Sequence, residues 1–411
     1  MFSRPAQSSF CFPLKPPSKN QVQRYLASIS ISGDYSKGKK KIQIEYFGLL
    51  DKYGKDSAEG SAEKNKDIKQ LGYGSPYLLV YQEIFPSGKS YRKKAILSTM
   101  RIGHGFGHDY RADRVDNTVL AFDSWNSLPQ HCKVWDIGAF NKKDSSLLSL
   151  GEAGEFFLLR PMIEGVEYYK DLDRIFRTGS LDELDLEKAH SLAEYLAKVH
   201  RSKKFEGPGQ RDLYARKIRD TVGHGECIFG LSDSYPSQSN DYMRQGELEE
   251  IEKKCVTQRW KLKDRSERLS RVHGDFHPWN ILFQEKRGKP TSKFELLDRS
   301  RGEWGESADD VCALSINYLF YSLRKYGEVR NEFLDLLNSF METYARSTGD
   351  NELSKAMPLF YVFRALVIAS PVWYPDLSSE VRRKIFNFSQ NILDEGSFDY
   401  RKVNNYFRGV N

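Results

Sequence analysis

No run of this 411-residue sequence is both long and apolar enough to cross a bilayer. The longest apolar stretch, Leu359 to Trp373, is interrupted by Arg364 and Pro371, whereas a spanning helix needs roughly 20 apolar residues. A buried helix is the better reading of it. Cysteine is sparse too. Cys11, Cys132, Cys227, Cys255 and Cys312 are odd in number, widely scattered and without a Cys-x-x-Cys pair. That argues against a disulfide framework or a zinc ribbon and for reduced thiols. An Arg-rich helix face and an aromatic-basic RNA motif are also missing, so neither nucleic acid nor membrane is expected as a partner. The first 33 residues contain no acid and four basic residues; Asp34 is the first carboxylate. Organelle transit peptides have such a composition. Pro5, Pro13, Pro16 and Pro17, however, oppose the amphipathic helix that import requires. A disordered arm over residues 1–33 is therefore preferred, with a cytoplasmic location and organelle import as the minor alternative.

What is present points to a large folded chain. With 39% hydrophobic and 13% aromatic residues, it can bury a core of two or three lobes. A net charge of +7 permits an anionic ligand such as a nucleotide without demanding one.

One stretch carries chemistry: Val272-His273-Gly274-Asp275-Phe276-His277-Pro278-Trp279-Asn280-Ile281-Leu282-Phe283, followed by Leu296-Leu297-Asp298. An Asp, an Asn five residues on and a second Asp beyond a strand form the acidic set of a phosphoryl-transfer site. One carboxylate orients or deprotonates an attacking hydroxyl. An amide oxygen and another carboxylate hold magnesium on the nucleotide phosphates. The apolar runs after Asn280 and before Asp298 read as two short strands, with residues 284–292 as their polar loop. Such a hairpin brings Asn280 and Asp298 together at one edge.

The stretch resembles the aminoglycoside phosphotransferase and choline kinase-like family of the protein-kinase-like fold, whose loop reads His-Gly-Asp, four residues, then Asn. Protein kinases usually carry Arg where Gly274 stands. The resemblance implies an α+β, two-lobed fold with a small β-rich N-lobe and a mostly helical C-lobe. It implies Asp275 as catalytic base, Asn280 as a catalytic-loop magnesium ligand and Asp298 as the main magnesium ligand at the nucleotide. His273 joins the catalytic set, more as a residue that packs and hydrogen-bonds the loop than as one that reacts. The segment from Gly305 to Val311 looks like the family's Gly-Asp-Pro-x-x-Asp-Leu, with Asp310 bonding the backbone of the catalytic loop. The runs Phe106 to Asp109, Arg111 to Arg114, Val222 to Glu226 and Asp298 to Gly302 resemble an uncharacterised bacterial-type branch. The resemblance covers about residues 70–345.

Within this frame, residues 34–160 form the N-lobe. Ile42 to Tyr46, Tyr77 to Phe85 and Ser90 to Met100 read as strands. Gly72 and Gly74, just before a strand, let backbone N–H groups approach phosphate, although a plain tight turn fits the same residues. A helix follows near 110–125, then strand candidates at 133–140 and 155–160. Pro161 to Gly165 reads as the hinge, with Met162 at the adenine. Residues 161–411 form the C-lobe, with helices at 186–200, 247–269, 309–323, 331–344, 357–369 and 381–393. A substrate-side insert spans 205–260, and its first part, 205–240, is read as a polar stretch in which His224 and Glu226, flanked by glycines, form a structured turn or else line a pocket.

The chain departs from the family at the third strand. Ser98 stands where a lysine for the α/β-phosphates is expected. Lys94 lies four residues earlier on the same face, about 13 Å along the strand. It is taken as the nucleotide-binding cation, with Asp109 or Asp113 as its acidic partner; Lys93 lies on the other face. The function expected is Mg2+-assisted transfer of the γ-phosphate of ATP (or GTP) to a hydroxyl of a small molecule. The alternative is a nucleotide-binding pseudokinase or regulatory module. The acceptor stays open between a sugar, an amino alcohol and a nucleoside.

Overall fold

Ser18 and Gln21 start the first helix by a reciprocal cap. The Gln21 N–H donates to Ser18 Oγ at 3.3 Å, and the Ser18 N–H donates to Gln21 Oε1 at 2.8 Å. Helix α1, Lys19–Ser28, then places Val22 and Leu26 one turn apart and buries both against Ile42, Leu79 and Tyr81. This corrects the arm expected to be disordered. Its described part is a capped helix docked on a sheet, because an i, i+4 apolar pair follows the cap directly.

The computed structural model describes residues 17–29, 41–50, 74–100, 108–126, 132–154, 161–202, 208–298 and 301–409. The chain divides into two compact units, Met1–Leu159 and Arg160–Asn411.

In the first unit, β1 (Lys41–Leu49), β2 (Gly74–Ile84) and β3 (Ser90–Met100) form an antiparallel sheet in the order β1-β2-β3. A turn through Pro86 to Gly88 closes β2 onto β3, and the Phe85 N–H donates to Lys89 O at 2.9 Å. Tyr77 to Tyr81 are all buried, so β2 is apolar on both faces, as the central strand of a covered sheet must be. Helix α2 (Arg111–Trp125) follows, then the short hairpin of β4 (Gly138–Phe140) and β5 (Leu147–Ser149). The strand expected from Lys133 is confined to the three residues of β4. The candidate strand at 155–160 lies outside the described residues.

The second unit opens with β6 (Val166–Glu167), α3 (Tyr168–Thr178) and α4 (Glu183–His200). The stretch expected to be polar loop is mostly helix: α5 (Pro208–Gly223) and α6 (Ile228–Asp233). The charges of α5 hide its apolar face from inspection, yet Leu213, Tyr214, Ile218 and Val222 recur at helical spacing and are buried. Helix α7 (Glu247–Leu262) ends earlier than expected, and a short 3₁₀ turn leads into β7 (Leu269–Arg271).

Strands β8 (Ile281–Lys286) and β9 (Lys289–Leu296) pair antiparallel, with β6 on the outer side of β8. The expected loop at 284–292 shrinks to Arg287-Gly288, with φ of 54° and 73°. Positive φ at both positions is the demand of a two-residue type I′ turn, whose twist matches the strands. Strand β10 (Trp304–Glu306) pairs with β7 and runs directly into α8 (Ser307–Tyr326). Helices α9 (Asn331–Thr348), α10 (Leu353–Ala369) and α11 (Ser379–Glu395) follow, and α8 and α10 are the helices richest in buried hydrophobic residues. Among the described residues no helix is long and apolar enough to cross a membrane. A small antiparallel sheet unit followed by a helical unit built around one hairpin is an α+β architecture, as expected.

Candidate active site

The loop between β7 and β8 is anchored by one buried carboxylate. Asp310, in the first turn of α8, accepts the N–H groups of His273 and Gly274, each at 2.7 Å. His200, at the end of α4, adds Nε2 at 3.1 Å, and its Nδ1 lies 2.7 Å from the Tyr344 hydroxyl on α9. Burial works to raise the Asp310 pKa. The His200 and His273 hydrogen bonds outweigh it and hold the group below the usual carboxylate range. A fully buried charge is thereby matched by donors from the loop and from α4, as burial of an ion requires.

Glycine at 274 follows from geometry. Its φ is +90°, and a Cβ there would lie 3.0 Å from Arg301 Cβ. His273 is buried and spends both ring nitrogens on the loop: Nε2 lies 3.0 Å from Leu297 O, and Nδ1 lies 3.3 Å from the Asp275 N–H. The two contacts are satisfied together by the neutral tautomer with its proton on Nε2.

Asp275 follows. Its Oδ1 accepts from Arg364 Nη1 at 2.5 Å, and its Oδ2 lies 3.4 Å from His277 Nε2. Burial again works upward on the pKa. The His277 hydrogen bond and the charges of Arg364, His277 and Arg301 overcome it and hold the carboxyl far below the usual range. Asp275 is therefore an anion throughout the neutral range.

Asn280 donates its Nδ2 to the Asp275 carbonyl at 3.1 Å. That leaves its amide oxygen as a hard ligand. The hairpin sets the last member beside it. Ile281 pairs with Leu296, and the Leu297 N–H donates to Asn280 O at 2.9 Å, so Asp298 is the next residue after this junction. Asp298 is exposed and has φ of +57°, a conformation that Asp adopts more readily than most residues. An amide oxygen and a carboxylate at one edge are the oxygen donors that magnesium accepts alongside phosphate. Among the described residues no group of three or more His, Cys, Asp or Glu forms a metal cluster.

Most of the remaining expected positions belong to the first unit. Gly72 lies outside the described residues. Gly74 opens β2 opposite Met100, and Lys94 lies on β3 opposite Val80. Ser98 is on the same face of β3 as Lys94, opposite Pro76. Lys93, on the other face, is paired at 2.7 Å with the buried Glu83. Asp113 caps α2 by accepting the Tyr110 N–H at 2.7 Å. Met162 is 87% exposed, in the segment before β6. Trp279 stacks on Tyr169 of α3 with ring centroids 5.1 Å apart.

Two residues in contact with Asp275 were not singled out from the sequence. His277 lies inside the motif itself. Arg364 sits 89 residues away, where the signal was a charge inside an apolar helical run, which a folded chain buries only against a partner.

This loop, the hairpin and the following helix bring together the residues expected of a phosphoryl-transfer site. Residues 145–291 match the model of the phosphotransferase enzyme family, APH, over a span that includes Asp275 and Asn280 and ends short of Asp298. The resemblance carried by the loop is thus shown. Among solved structures, an amicoumacin kinase in complex with AMP-PNP, Ca2+ and amicoumacin is 15% identical, covering 94% of this chain and 97% of that one, with a TM-score of 0.37. A microcompartment-associated aminopropanol kinase is 13% identical, covering 92% and 96%, with a TM-score of 0.34. A Plasmodium vivax ethanolamine kinase is 10% identical, covering 90% and 80%, with a TM-score of 0.31. No curated protein matches the chain.

Proposed function

We propose that this protein transfers the γ-phosphate of ATP, or GTP, to a hydroxyl of a small molecule with the help of magnesium. The observation that carries the reading is the clamp of Asp310 on the loop. It holds His273 and Gly274 by their N–H groups, so that Asp275 and Asn280 stand at the open end of the hairpin that leads to Asp298.

Asp275 receives the hydrogen bond of the acceptor hydroxyl and aims its oxygen at the γ-phosphorus. Its depressed pKa makes it a weak base, which suits a loose transition state, where the attacking oxygen loses its proton late. Asn280 Oδ1 and the Asp298 carboxylate are the groups that would hold magnesium, whose charge offsets that of the phosphates. Lys94 is the cation assigned to the nucleotide from unit one, and Gly72, Gly74 and Met162 the backbone and side-chain contacts to it. His273 keeps the loop and Leu297 in register and takes no proton from substrate.

The test is thermal unfolding with ATP or GTP, each with and without magnesium, on the wild type and Asp298→Asn. A magnesium-dependent upward shift that the variant loses supports the site. Well-folded protein that shows no shift at millimolar nucleotide, where mass action stabilises even a weak binder, removes the proposal.

A further inference from the structure

Arg364 lies in the middle of α10, a helix whose other central positions are apolar, and is only 6% exposed. Its guanidinium reaches three acceptors. Nη1 donates to Asp275 Oδ1 at 2.5 Å, and Nη2 donates to Asp309 Oδ1 at 2.6 Å and to Gly274 O at 3.2 Å. Nε is buried without a protein acceptor.

A merely structural arginine needs a counter-charge, and Asp309 alone would supply it. Here the same planar group also grips the backbone of Gly274 and the side chain of Asp275, two consecutive residues of the loop. A carboxylate held through one oxygen, on a loop whose carbonyl is held by the same fork, has lost its freedom to turn. Its other oxygen, Oδ2, is the one left on the His277 side, 3.4 Å from Nε2. A lysine, as a point charge, cannot hold two carboxylates and a carbonyl in one plane.

We propose that Arg364 is a positioning residue for phosphoryl transfer, locking Asp275 through Oδ1 so that Oδ2 receives the acceptor hydroxyl. Asp309 is its counter-carboxylate, sharing the guanidinium charge so that Asp275 is oriented without being neutralised. The inference rests on the phosphotransferase reading above. In the step it serves, the acceptor oxygen bonds to the γ-phosphorus as the bond to the β–γ bridging oxygen breaks. The nucleoside diphosphate leaves with that electron pair, and the hydroxyl proton passes to Oδ2 and on to solvent.

The test uses the full chain with MgATP and water as the acceptor, read as release of inorganic phosphate. The variants are Arg364→Lys, Arg364→Met and the double Arg364→Met/Asp309→Asn, which removes the carboxylate that a single substitution would strand. Misplacing a catalytic group by about an ångström costs about 100-fold, so a fall in kcat of that order is expected in the Met and double variants. KM for ATP should stay within about threefold and the MgATP shift in unfolding should persist, because nucleotide binding is not what Arg364 serves. Arg364→Lys should recover only part of the loss. Folded variants that keep wild-type kcat overturn the proposal, as does a fall in kcat accompanied by loss of the MgATP shift, which marks a collapsed loop. A wild type that releases no phosphate overturns the phosphotransferase reading itself, and this inference with it.

Discussion

The His273 imidazole lies 3.0 Å from the carbonyl oxygen of Leu297, twenty-four residues along the chain and next to Asp298. This contact ties the loop of Asp275 to the far end of the hairpin, beside Asp298. His273→Ala removes it and leaves the Asp275 N–H without its ring acceptor. Each partly buried group left unpaired costs about 1–3 kcal/mol. Urea unfolding should show a loss of about 2–6 kcal/mol by that reckoning. In the protein that remains folded, the magnesium-dependent nucleotide shift should weaken as well. A variant with reduced stability but an undiminished shift would show that the hairpin holds Asp298 without the histidine.

Gly274 has no room for a side chain and no L-residue backbone to put it on. At φ of +90°, with Arg301 Cβ 3.0 Å from a new Cβ, Gly274→Ala combines strain with a clash. Backbone strain of this kind costs about 1–3 kcal/mol, and relief by moving Arg301 disturbs the loop beside Asp275. Loss of stability in this range, with phosphate release reduced by at least about tenfold, is expected. Unfolding and turnover measured on the same preparation check both parts. Wild-type values for Gly274→Ala would mean that the loop adopts another backbone.

The local geometry of the candidate site was more legible in the sequence than the fold around it. Asn280 and Asp298 flank one hairpin, so local strand patterning was enough to bring them together, and the Asp310 contact with the loop of Asp275 followed from the family pattern. Arg364 and Tyr344 reach the site from helices distant in sequence, and no local pattern records which core helix faces which loop. The described part of the N-terminal arm was misread because its prolines and missing acids outweighed a short Ser-x-x-Gln cap. Helix α5 was misread because Arg211, Arg216, Lys217 and Arg219 crowd the residues between its buried positions. In both, composition masked a periodicity only two or three turns long.

Lys94 gives the nucleotide assignment a test of its own, because Ser98 offers no charge on β3. If Lys94 contacts the phosphates, Lys94→Ala removes one charge-assisted contact, and KM for ATP should rise about tenfold, equivalent to about 1.4 kcal/mol. Ser98→Lys, which restores the family's residue on the same strand face, should lower KM. Steady-state phosphate release against ATP concentration reads both. An unchanged KM in Lys94→Ala would move the phosphate cation elsewhere in the chain.

Glu247, the first residue of α7, provides a control outside the loop of Asp275, and it fixes the sign of the acid response. Only 1% of its side chain is exposed, and it accepts from both terminal nitrogens of Arg383, from Arg244 and from Gln390. Burial works to raise its pKa, but the Arg383 hydrogen bonds, the Arg244 N–H and both charges outweigh it and lower the value below 4.5. A carboxylate with a depressed folded pKa adds stability above its unfolded pKa and loses it as pH falls through the folded one. Glu247→Gln should therefore cost stability at pH 7 and cost progressively less below pH about 4, where the wild type loses the same contribution. Breaking a buried pair costs about 3–5 kcal/mol. Arg383 is 25% exposed and keeps water, so about 2–3 kcal/mol is expected here. Urea midpoints from pH 3 to 7 on both proteins decide it. A gap that does not narrow in acid would mean that Glu247 acts through packing, and its charge would then play no part in holding α7 to α11.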